Sequence, residues 1–225
     1  MNEGKTRLKI KGILIDLDGT IVDSKQAYTE AAKIAFQAMG QKTFDAKLVT
    51  EIPKRLEQNL PVNDILNGID PQKFLDTYRK AYYQITGAKT KLIPDIAGTI
   101  TRLSEKAILA LITMRYVPKK QIAEELEKFG LAKYFKYIVT ALDACNPKPS
   151  PEALIKCAKN FGIQTGECII VGDSIADIKA GKAAGAKTVA VLSGIFSREE
   201  LKREKPDLIL ENINQLPDFL KSLEN

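Results

Sequence analysis

The sequence predicts an α/β protein in which helices cover both faces of a parallel sheet. From Ile93 onwards, short apolar runs alternate with amphipathic helical stretches. Repeated strand–helix units of this kind form parallel sheets, because each helix returns the chain to the edge where the next strand begins. The 225 residues are enough for one large domain or two small ones.

The first predicted strand is an apolar run that ends in two carboxylates. The run extends from Ile10 to Ile15, and Asp16, Asp18 and Gly19 follow it. Residues i and i+2 of an extended segment point to the same side, so Asp16 and Asp18 can face one ligand together. Such a pair repels itself unless a metal ion, a proton or a cationic side chain intervenes. Spacing alone leaves a plain Asp-Gly turn open as the alternative.

Residues 23–91 have a different character, because helical spacing dominates there and no convincing strand is present. We predict a small helical insert between the first strand and the remainder of the chain. Its helical stretches are residues 27–39, which end at Gly40, and residues 48–60, 62–66 and 72–85.

The remainder of the chain alternates regularly between strands and helices. Ser150 and Pro151 suit the N-cap and the first position of one of these helices. The strands are predicted at residues 108–112, 137–140, 168–171, 188–192 and 207–210. The helices are predicted at residues 96–105, 118–129, 151–161, 175–184, 197–203 and 216–223.

Composition excludes several classes of chemistry. The chain contains no histidine, which removes serine triads, histidine-rich zinc sites and histidine acid/base catalysis. Acid/base work then falls to carboxylates, Lys, Tyr or Cys, and a metal site would use oxygen ligands, which favours Mg²⁺ over Zn²⁺. The three cysteines form no CxxC pair and are predicted to be reduced, with Cys157 and Cys168 in the core. Cys145 lacks the partner base that a cysteine nucleophile usually needs.

Charge and hydropathy predict a cytoplasmic protein. The net charge is +6, but basic and acidic residues alternate in helical segments such as residues 119–128, which is typical of a solvated helix face. No apolar run approaches the ~20 residues that span a bilayer, and the first residues show no signal-peptide pattern. We therefore expect a monomer or homodimer with no nucleic-acid partner and no membrane partner.

Polar residues follow the predicted strands in a consistent way. Because the carboxyl ends of parallel strands converge on one crevice, we expect these residues to lie together. They supply carboxylates, one hydroxyl and one ammonium, which suits a Mg²⁺ ion beside a phosphoryl group. Taken singly, the hydroxyl is an ordinary strand-end group and the lysine an ordinary loop residue. The set is Asp16, Asp18, Thr113, Lys148, Asp173 and Asp177.

Four segments that contain these residues resemble the motifs of the haloacid dehalogenase-like hydrolase superfamily. A fifth segment, residues 181–191, is similar to the phosphoglycolate phosphatase-like branch. The resemblance covers nearly the whole chain. The four motifs are residues 16–24, 111–113, 148–152 and 172–177.

The resemblance implies a division into two domains. Residues 1–22 and 92–225 would form a Rossmann-like α/β catalytic core domain. Residues 23–91 would form an all-helical cap domain, inserted after the first strand.

The resemblance also assigns a role to each site residue. Asp16 would attack phosphorus to give an aspartyl-phosphate, and Asp18 would protonate the leaving alcohol and then activate water. Thr113 would donate a hydrogen bond to the phosphoryl oxygens, and Lys148 would offset the charge of Asp16 and the phosphate. Asp16 and Asp173 would bind Mg²⁺. Asp177 would support the ion directly or through water, and the backbone carbonyl of Asp18, rather than its carboxylate, would contact it.

The function implied is a Mg²⁺-dependent phosphatase for a small phosphorylated metabolite, with phosphoglycolate as the first candidate. A phosphosugar mutase of the β-phosphoglucomutase type is the alternative, since it shares the fold, the cap and the catalytic residues. A receiver-like signalling module fits less well, because receivers carry no helical insert after the first strand. A non-catalytic binding protein also fits less well, because every expected catalytic position is filled. Dehalogenases of the superfamily lack the second carboxylate of the first motif, so Asp18 argues against dehalogenation.

Three basic residues are open between two interpretations. Met114 and Arg115 stand where relatives often have Asn-Lys or a similar polar pair after the threonine of the second motif, and Arg115 either contacts substrate or is exposed. Lys54 and Arg55 are candidate anion contacts in the helical insert, or else solvated helix residues.

Overall fold

The strands form one large sheet and one short ribbon in this computed structural model, which describes residues 10–89 and 91–222. The strands are β1 (Gly12–Ile15), β2 (Val22–Asp23), β3 (Lys91–Leu92), β4 (Ile108–Ile112), β5 (Phe135–Val139), β6 (Cys168–Gly172), β7 (Lys187–Val191) and β8 (Leu208–Leu210). The α-helices are α1 (Lys25–Ala38), α2 (Leu48–Glu57), α3 (Pro71–Lys89), α4 (Ile96–Ser104), α5 (Lys119–Lys128), α6 (Glu152–Phe161), α7 (Ile175–Ala184), α8 (Arg198–Arg203) and α9 (Leu216–Ser222).

Most of these elements end within one or two residues of the prediction, as ends commonly vary. Helix α6 begins one residue later than predicted, yet Ser150 Oγ still accepts a hydrogen bond from the backbone N–H of Glu152 at 3.3 Å. Leu223, the predicted end of the last helix, lies outside the described residues.

The large sheet has the strand order β5-β4-β1-β6-β7-β8, and all its neighbours are parallel. The predicted α/β fold is therefore confirmed. All four residues of β1 are buried, as expected of a central strand with helices on both faces. The chain first builds outward through β4 and β5, then crosses to the other side of β1 through β6. This reversal opens a crevice at the carboxyl ends of β1, β4 and β6.

Alternation along β1 divides the core between the two faces of the sheet. Ile13 and Ile15 pack with residues of α4, α5 and α9, whereas Leu14 packs with residues of α6 and α7. Cys157 and Cys168 belong to the second group, as predicted, and Cys145 is exposed. Among the described helices, none combines the length and the apolar character needed to cross a bilayer.

Helices α1, α2 and α3 pack around a hydrophobic cluster of their own. Its aromatic part includes a stack in which the ring centroid of Tyr82 lies 5.0 Å from that of Tyr28 and 6.4 Å from that of Tyr78. The prediction that residues 23–91 contain no strand is wrong at both ends, because β2 and β3 pair as an antiparallel ribbon. Two-residue strands are too short to show a period in the sequence. The division into core and cap at these positions stays a prediction.

Candidate active site

The crevice at the carboxyl ends of β1, β4 and β6 holds the residues that the sequence singled out. Each follows its strand directly or lies within a turn of it, except for Lys148, which comes from the loop after β5. All are buried to at least nine-tenths, so their charges act in a low-dielectric setting. The residues are Asp16, Asp18, Thr113, Lys148, Asp173 and Asp177.

Lys148 bridges two of the carboxylates. Its Nζ donates to Asp16 Oδ1 at 2.7 Å, to Asp177 Oδ1 at 2.6 Å and to the carbonyl oxygen of Ile112 at 3.0 Å. Burial alone would lower the pKa of Lys148, but the two carboxylates outweigh it and raise that pKa above its ordinary value. Asn59 Nδ2 donates to the backbone carbonyl of Lys148 at 2.9 Å and so ties the lysine loop to the helical segment above it.

Lys148 stabilises the ionised form of Asp16 only in part. Burial raises the pKa of Asp16 to about 7; Lys148 opposes the rise, and the charge of Asp177 adds to it. One ammonium is therefore too little positive charge for the carboxylates gathered here.

Three of these carboxylates form a group that fits a divalent cation. Asp16, Asp173 and Asp177 each offer an oxygen, and these oxygens all lie within 4.8 Å of one another. Burial raises the pKa of Asp173 well above its ordinary value, and the charge of Glu57 raises it further. Clustered carboxylate oxygens are the donors that hard divalent cations prefer, and such an ion would relieve this repulsion.

Three glycines lie against these carboxylates, at positions where any side chain would overlap them. A Cβ at Gly172 would lie 2.1 Å from Asp177 Cγ, and a Cβ at Gly194, in the loop after β7, would lie 1.6 Å from Asp173 Oδ2. Gly19 also has a φ of +78°, and its Cβ would lie 2.5 Å from the same oxygen. Any larger residue at these positions would displace a carboxylate of the group.

The start of α7 fixes the position of Asp177. The backbone N–H of Ser174 donates to Asp177 Oδ2 at 3.2 Å, and the backbone N–H of Asp177 donates to Ser174 Oγ at 3.3 Å. Ser174 Oγ also donates to Asp177 Oδ2 at 2.6 Å. This reciprocal capping box holds one carboxylate oxygen of Asp177 while Lys148 holds the other.

Thr113 lies directly after β4 with its backbone anchored. Its N–H donates to the carbonyl of Val139 at 3.0 Å, and its Oγ1 accepts from the N–H of Arg115 at 3.2 Å. A hydroxyl that accepts one bond can still donate its own proton to another oxygen.

Asp18 is not a member of the carboxylate group, and its oxygens are bound by other side chains. Arg115 clamps it, with Nε 2.7 Å from Oδ2 and Nη2 2.7 Å from Oδ1, and Tyr82 and Ser24 donate to Oδ1 as well. Burial would raise the pKa of Asp18. The charge and hydrogen bonds of Arg115, together with the hydrogen bonds from Ser24 and Tyr82, lower that pKa below its ordinary value. The carboxylate of Asp18 is therefore not one of the clustered oxygens. The contact between its backbone carbonyl and a metal ion stays a prediction.

Arg115 is not exposed, so that interpretation is wrong, whereas its contact with substrate stays a prediction because it lines the cavity described below. It is only 4% exposed and donates to Glu125 Oε2 at 2.7 Å in addition to Asp18. Its guanidinium carbon lies 5.7 Å from the centroid of the Tyr82 ring. Nothing in the sequence indicates this cluster, because most of its members lie far apart along the chain and meet only through packing.

Lys54 and Arg55 form ion pairs with residues that do not line the crevice. Lys54 Nζ pairs with Glu200 at 2.7 Å, and Arg55 pairs with Glu51 and Asp64. Their interpretation as helix-surface residues fits these contacts better than the interpretation as anion contacts.

A cavity of about 420 Å³ lies between the crevice and the helices above it. We call the residues contributed from below the core face and those from α2 and α3 the cap face. The core face includes Asp16, Asp18, Arg115, Lys148 and Ser174. The cap face includes Leu56, Glu57, Leu75, Tyr78 and Arg79.

The cap face contains a carboxylate that sequence reasoning missed. Tyr28 donates to Glu57 Oε1 at 3.0 Å, whereas Glu57 Oε2 and the Tyr78 hydroxyl are buried without a partner among the described residues. Burial raises the pKa of Glu57 well above its ordinary value, and the charges of Asp16 and Asp177 raise it further. Glu57 ends an ordinary amphipathic helix, so its sequence context gave no signal.

Comparisons with known proteins agree with this geometry. The family model described as haloacid dehalogenase-like hydrolase matches residues 13–191. Phosphoglycolate phosphatase of Escherichia coli (strain K12) is 30% identical, over 92% of this chain and 91% of its own. A protein of Caldanaerobacter subterraneus subsp. tengcongensis named "Putative pyrophosphatase PpaX" is also 30% identical, over 96% and 97%.

A solved structure shows the same fold. A haloacid dehalogenase-like hydrolase of Streptococcus pneumoniae superposes with a TM-score of 0.78 at 20% identity, over 94% of this chain and 99% of that one. The family model, the two sequence relatives and the carboxylate group at the strand ends all agree. The chain belongs to the haloacid dehalogenase-like hydrolase family and is an enzyme of its phosphatase type.

Proposed function

We propose that this enzyme hydrolyses the phosphate monoester of a small metabolite with Mg²⁺, through a phosphoryl group carried on Asp16. The observation that supports it best is that Asp16 and Lys148 line the cavity and that Asp16 belongs to the carboxylate group at the strand ends. Phosphoglycolate is the first substrate to test, because a relative over nearly the whole chain carries that name.

Asp16 would act as the nucleophile. It lines the cavity, so a phosphoryl group bound there meets its carboxylate directly. Lys148 holds Asp16 Oδ1 at 2.7 Å and brings its positive charge next to the incoming phosphate.

Asp16 and Asp173 would hold Mg²⁺, with Asp177 in support directly or through water, and the ion would supply charge that offsets the phosphoryl oxygens. Thr113 would donate its hydroxyl proton to one of those oxygens. The Ser174 capping box keeps Asp177 in place throughout.

Asp18 would move the protons. Its carboxylate lines the same cavity, and its lowered pKa keeps it ionised when the site is empty. An ionised Asp18 is ready to accept a proton from the water that attacks the intermediate. To protonate the leaving alcohol in the preceding step, Asp18 must first take up a proton and loosen the clamp of Arg115.

The test is phosphate release from p-nitrophenyl phosphate and from phosphoglycolate in the presence of Mg²⁺. We expect Asp16→Asn to lower kcat at least about a thousandfold, because an amide cannot replace the attacking carboxylate. Asp76→Asn, an exposed aspartate on α3, is the matched control and should retain the wild-type rate. Full turnover by Asp16→Asn would refute the mechanism, and undiminished turnover in excess EDTA would refute the metal requirement.

The mutase alternative is less well supported. The sequence relatives described above are named for hydrolysis of phosphate compounds and not for phosphoryl transfer between sugar hydroxyls. A β-sugar 1-phosphate with its catalytic bisphosphate should yield free phosphate here; an isomerised sugar phosphate would favour the mutase.

A further inference from the structure

Two polar atoms on the cap face are available to bind a ligand. Glu57 Oε2 and the Tyr78 hydroxyl are both buried, and neither has a hydrogen-bond partner among the described residues. Both residues line the cavity that opens over Asp16 and Lys148. Buried polar groups are nearly always paired in native proteins, so two orphans in one cavity indicate a missing partner.

The surroundings of Glu57 hold it in position. Tyr28 fixes its other oxygen at 3.0 Å, and Tyr28 itself stacks on Tyr82 with the two ring planes only 6° apart. Tyr78 continues this stack, with its ring plane 4° from that of Tyr82. The unpaired carboxylate oxygen and the unpaired hydroxyl are thus presented by one rigid aromatic layer.

Cations in this region are already engaged with protein carboxylates. Lys148 is bound to Asp16 and Asp177, and Arg115 is bound to Asp18 and Glu125. The remaining described cation on the cap face, Arg79, lies over the ring of Tyr116, which is 42% exposed and therefore marks the mouth of the cavity. The inner part of the cap face therefore offers an acceptor to a bound ester.

We propose that Glu57 and Tyr78 bind a hydroxyl or ammonium group on the leaving alcohol, so that the preferred substrates are phosphate esters of polyols or amino alcohols. This inference rests on the proposed phosphatase function and names its substrate class. It also argues against phosphoglycolate, because Lys148 and Arg115 are already paired with protein carboxylates and the described residues of the inner cavity would offer its carboxylate no free counter-charge.

Four small esters that differ in the group remote from phosphate test the proposal. They are 2-aminoethyl phosphate, 2-hydroxyethyl phosphate, ethyl phosphate and phosphoglycolate. For the wild type, we expect kcat/KM for the amino or the hydroxy ester to exceed that for phosphoglycolate at least about tenfold, since a site built to pair with a donor rejects a ligand that lacks one. Which of the two esters is preferred distinguishes an ammonium from a hydroxyl.

Substitutions then assign this selectivity to residues. Glu57→Gln should lower the ratio of kcat/KM for 2-aminoethyl phosphate to that for phosphoglycolate about tenfold, because the amide keeps the shape but cannot become an anion beside the ammonium group. Tyr78→Phe should lower the ratio of 2-hydroxyethyl phosphate to ethyl phosphate. Glu51→Gln is the matched control, since Glu51 lies on the same helix and pairs with Arg55; it should keep the wild-type ranking.

Three outcomes would overturn the inference. A wild-type preference for phosphoglycolate that Arg79→Gln abolishes would assign recognition to Arg79 and a carboxylate. Equal losses on all four esters in Glu57→Gln would make Glu57 a part of the phosphoryl site instead. Absence of Asp16-dependent phosphate release from any ester would refute the proposed function together with this inference.

Discussion

The core face and the cap face of the cavity differ in whether their polar side chains are paired within the protein. On the core face, Asp16 is paired with Lys148 and Asp18 with Arg115, each at 2.7 Å. On the cap face, Glu57 Oε2 and the Tyr78 hydroxyl have no partner among the described residues. The contrast indicates that the core face is preorganised for one chemical step, whereas the cap face is completed only by the substrate.

Removing the ammonium group of Lys148 should have the largest effect on the core face. Lys148→Met leaves Asp16 and Asp177 buried without a counter-charge, and removing one partner of a buried ion pair costs about 3–5 kcal/mol. We expect the free energy of unfolding, measured with urea without metal, to fall by that amount and hydrolysis to become barely detectable. Lys159→Met, an exposed lysine on α6, should change it by less than about 0.5 kcal/mol.

The same substitution should change the pH dependence of stability. The pKa of Asp16 is already raised to about 7, and loss of the ammonium should raise it further. A carboxyl group whose pKa is higher in the folded state than in the unfolded chain holds its proton more tightly when folded. The metal-free variant should therefore lose stability as pH rises from about 4 through neutrality, and should continue to lose it at higher pH than the wild type. A flat pH profile for the variant would show that Asp16 does not carry this repulsion.

A smaller effect should follow when the carboxylate group is displaced without removing a charge. In Gly194→Ala, the new Cβ would overlap Asp173 Oδ2, so this carboxylate must move. Disturbing the placement of a metal ligand typically costs about 10- to 100-fold in metal affinity. We expect the Mg²⁺ concentration for half-maximal activity to rise by that factor.

Gly98→Ala provides the control for this change. Gly98 lies within α4, and a Cβ there meets no atom within 4 Å, so the alanine should leave the Mg²⁺ dependence unaltered. An equal shift in both variants would mean that Gly194 acts through general stability and not through Asp173.

The two faces also differ in how well the sequence predicts them. Asp16, Thr113, Lys148, Asp173 and Asp177 could be found because polar residues after parallel strands must converge, whatever the details of packing. The order of the motifs added their expected roles.

The cap face could not be found in this way. Glu57 and Tyr78 lie on helices whose sequence period shows which side is buried but not what that side faces. The short ribbon of β2 and β3 was missed for a related reason, since two residues per strand carry no periodic signal. Helical segments without strand ends therefore leave their functional residues hidden until the tertiary structure is known.

Arg115 contacts groups from both faces, and of these substitutions its own should have the smallest effect on catalysis. It comes from the core, but Asp18 also accepts hydrogen bonds from Ser24 and Tyr82 of the helical segment. Arg115→Met should raise the pKa of Asp18, because the charge and hydrogen bonds that lower it are lost. The ionisation of Asp18 in the pH profile of kcat/KM should then move to higher pH, with about a tenfold loss of rate.

Stability gives an independent measure of the same clamp. A carboxyl group with a lowered pKa contributes stability above its unfolded-state pKa and loses it as pH falls through the folded-state value. On acidification, Arg115→Met should therefore lose less stability than the wild type, because the pKa of Asp18 is no longer held below its unfolded-state value. Arg102→Met, which breaks only the exposed pair with Asp218, should leave both profiles in place. If Arg115→Met shifts the stability profile but not the kinetic one, Arg115 joins the two faces structurally and Asp18 ionises independently of it during turnover.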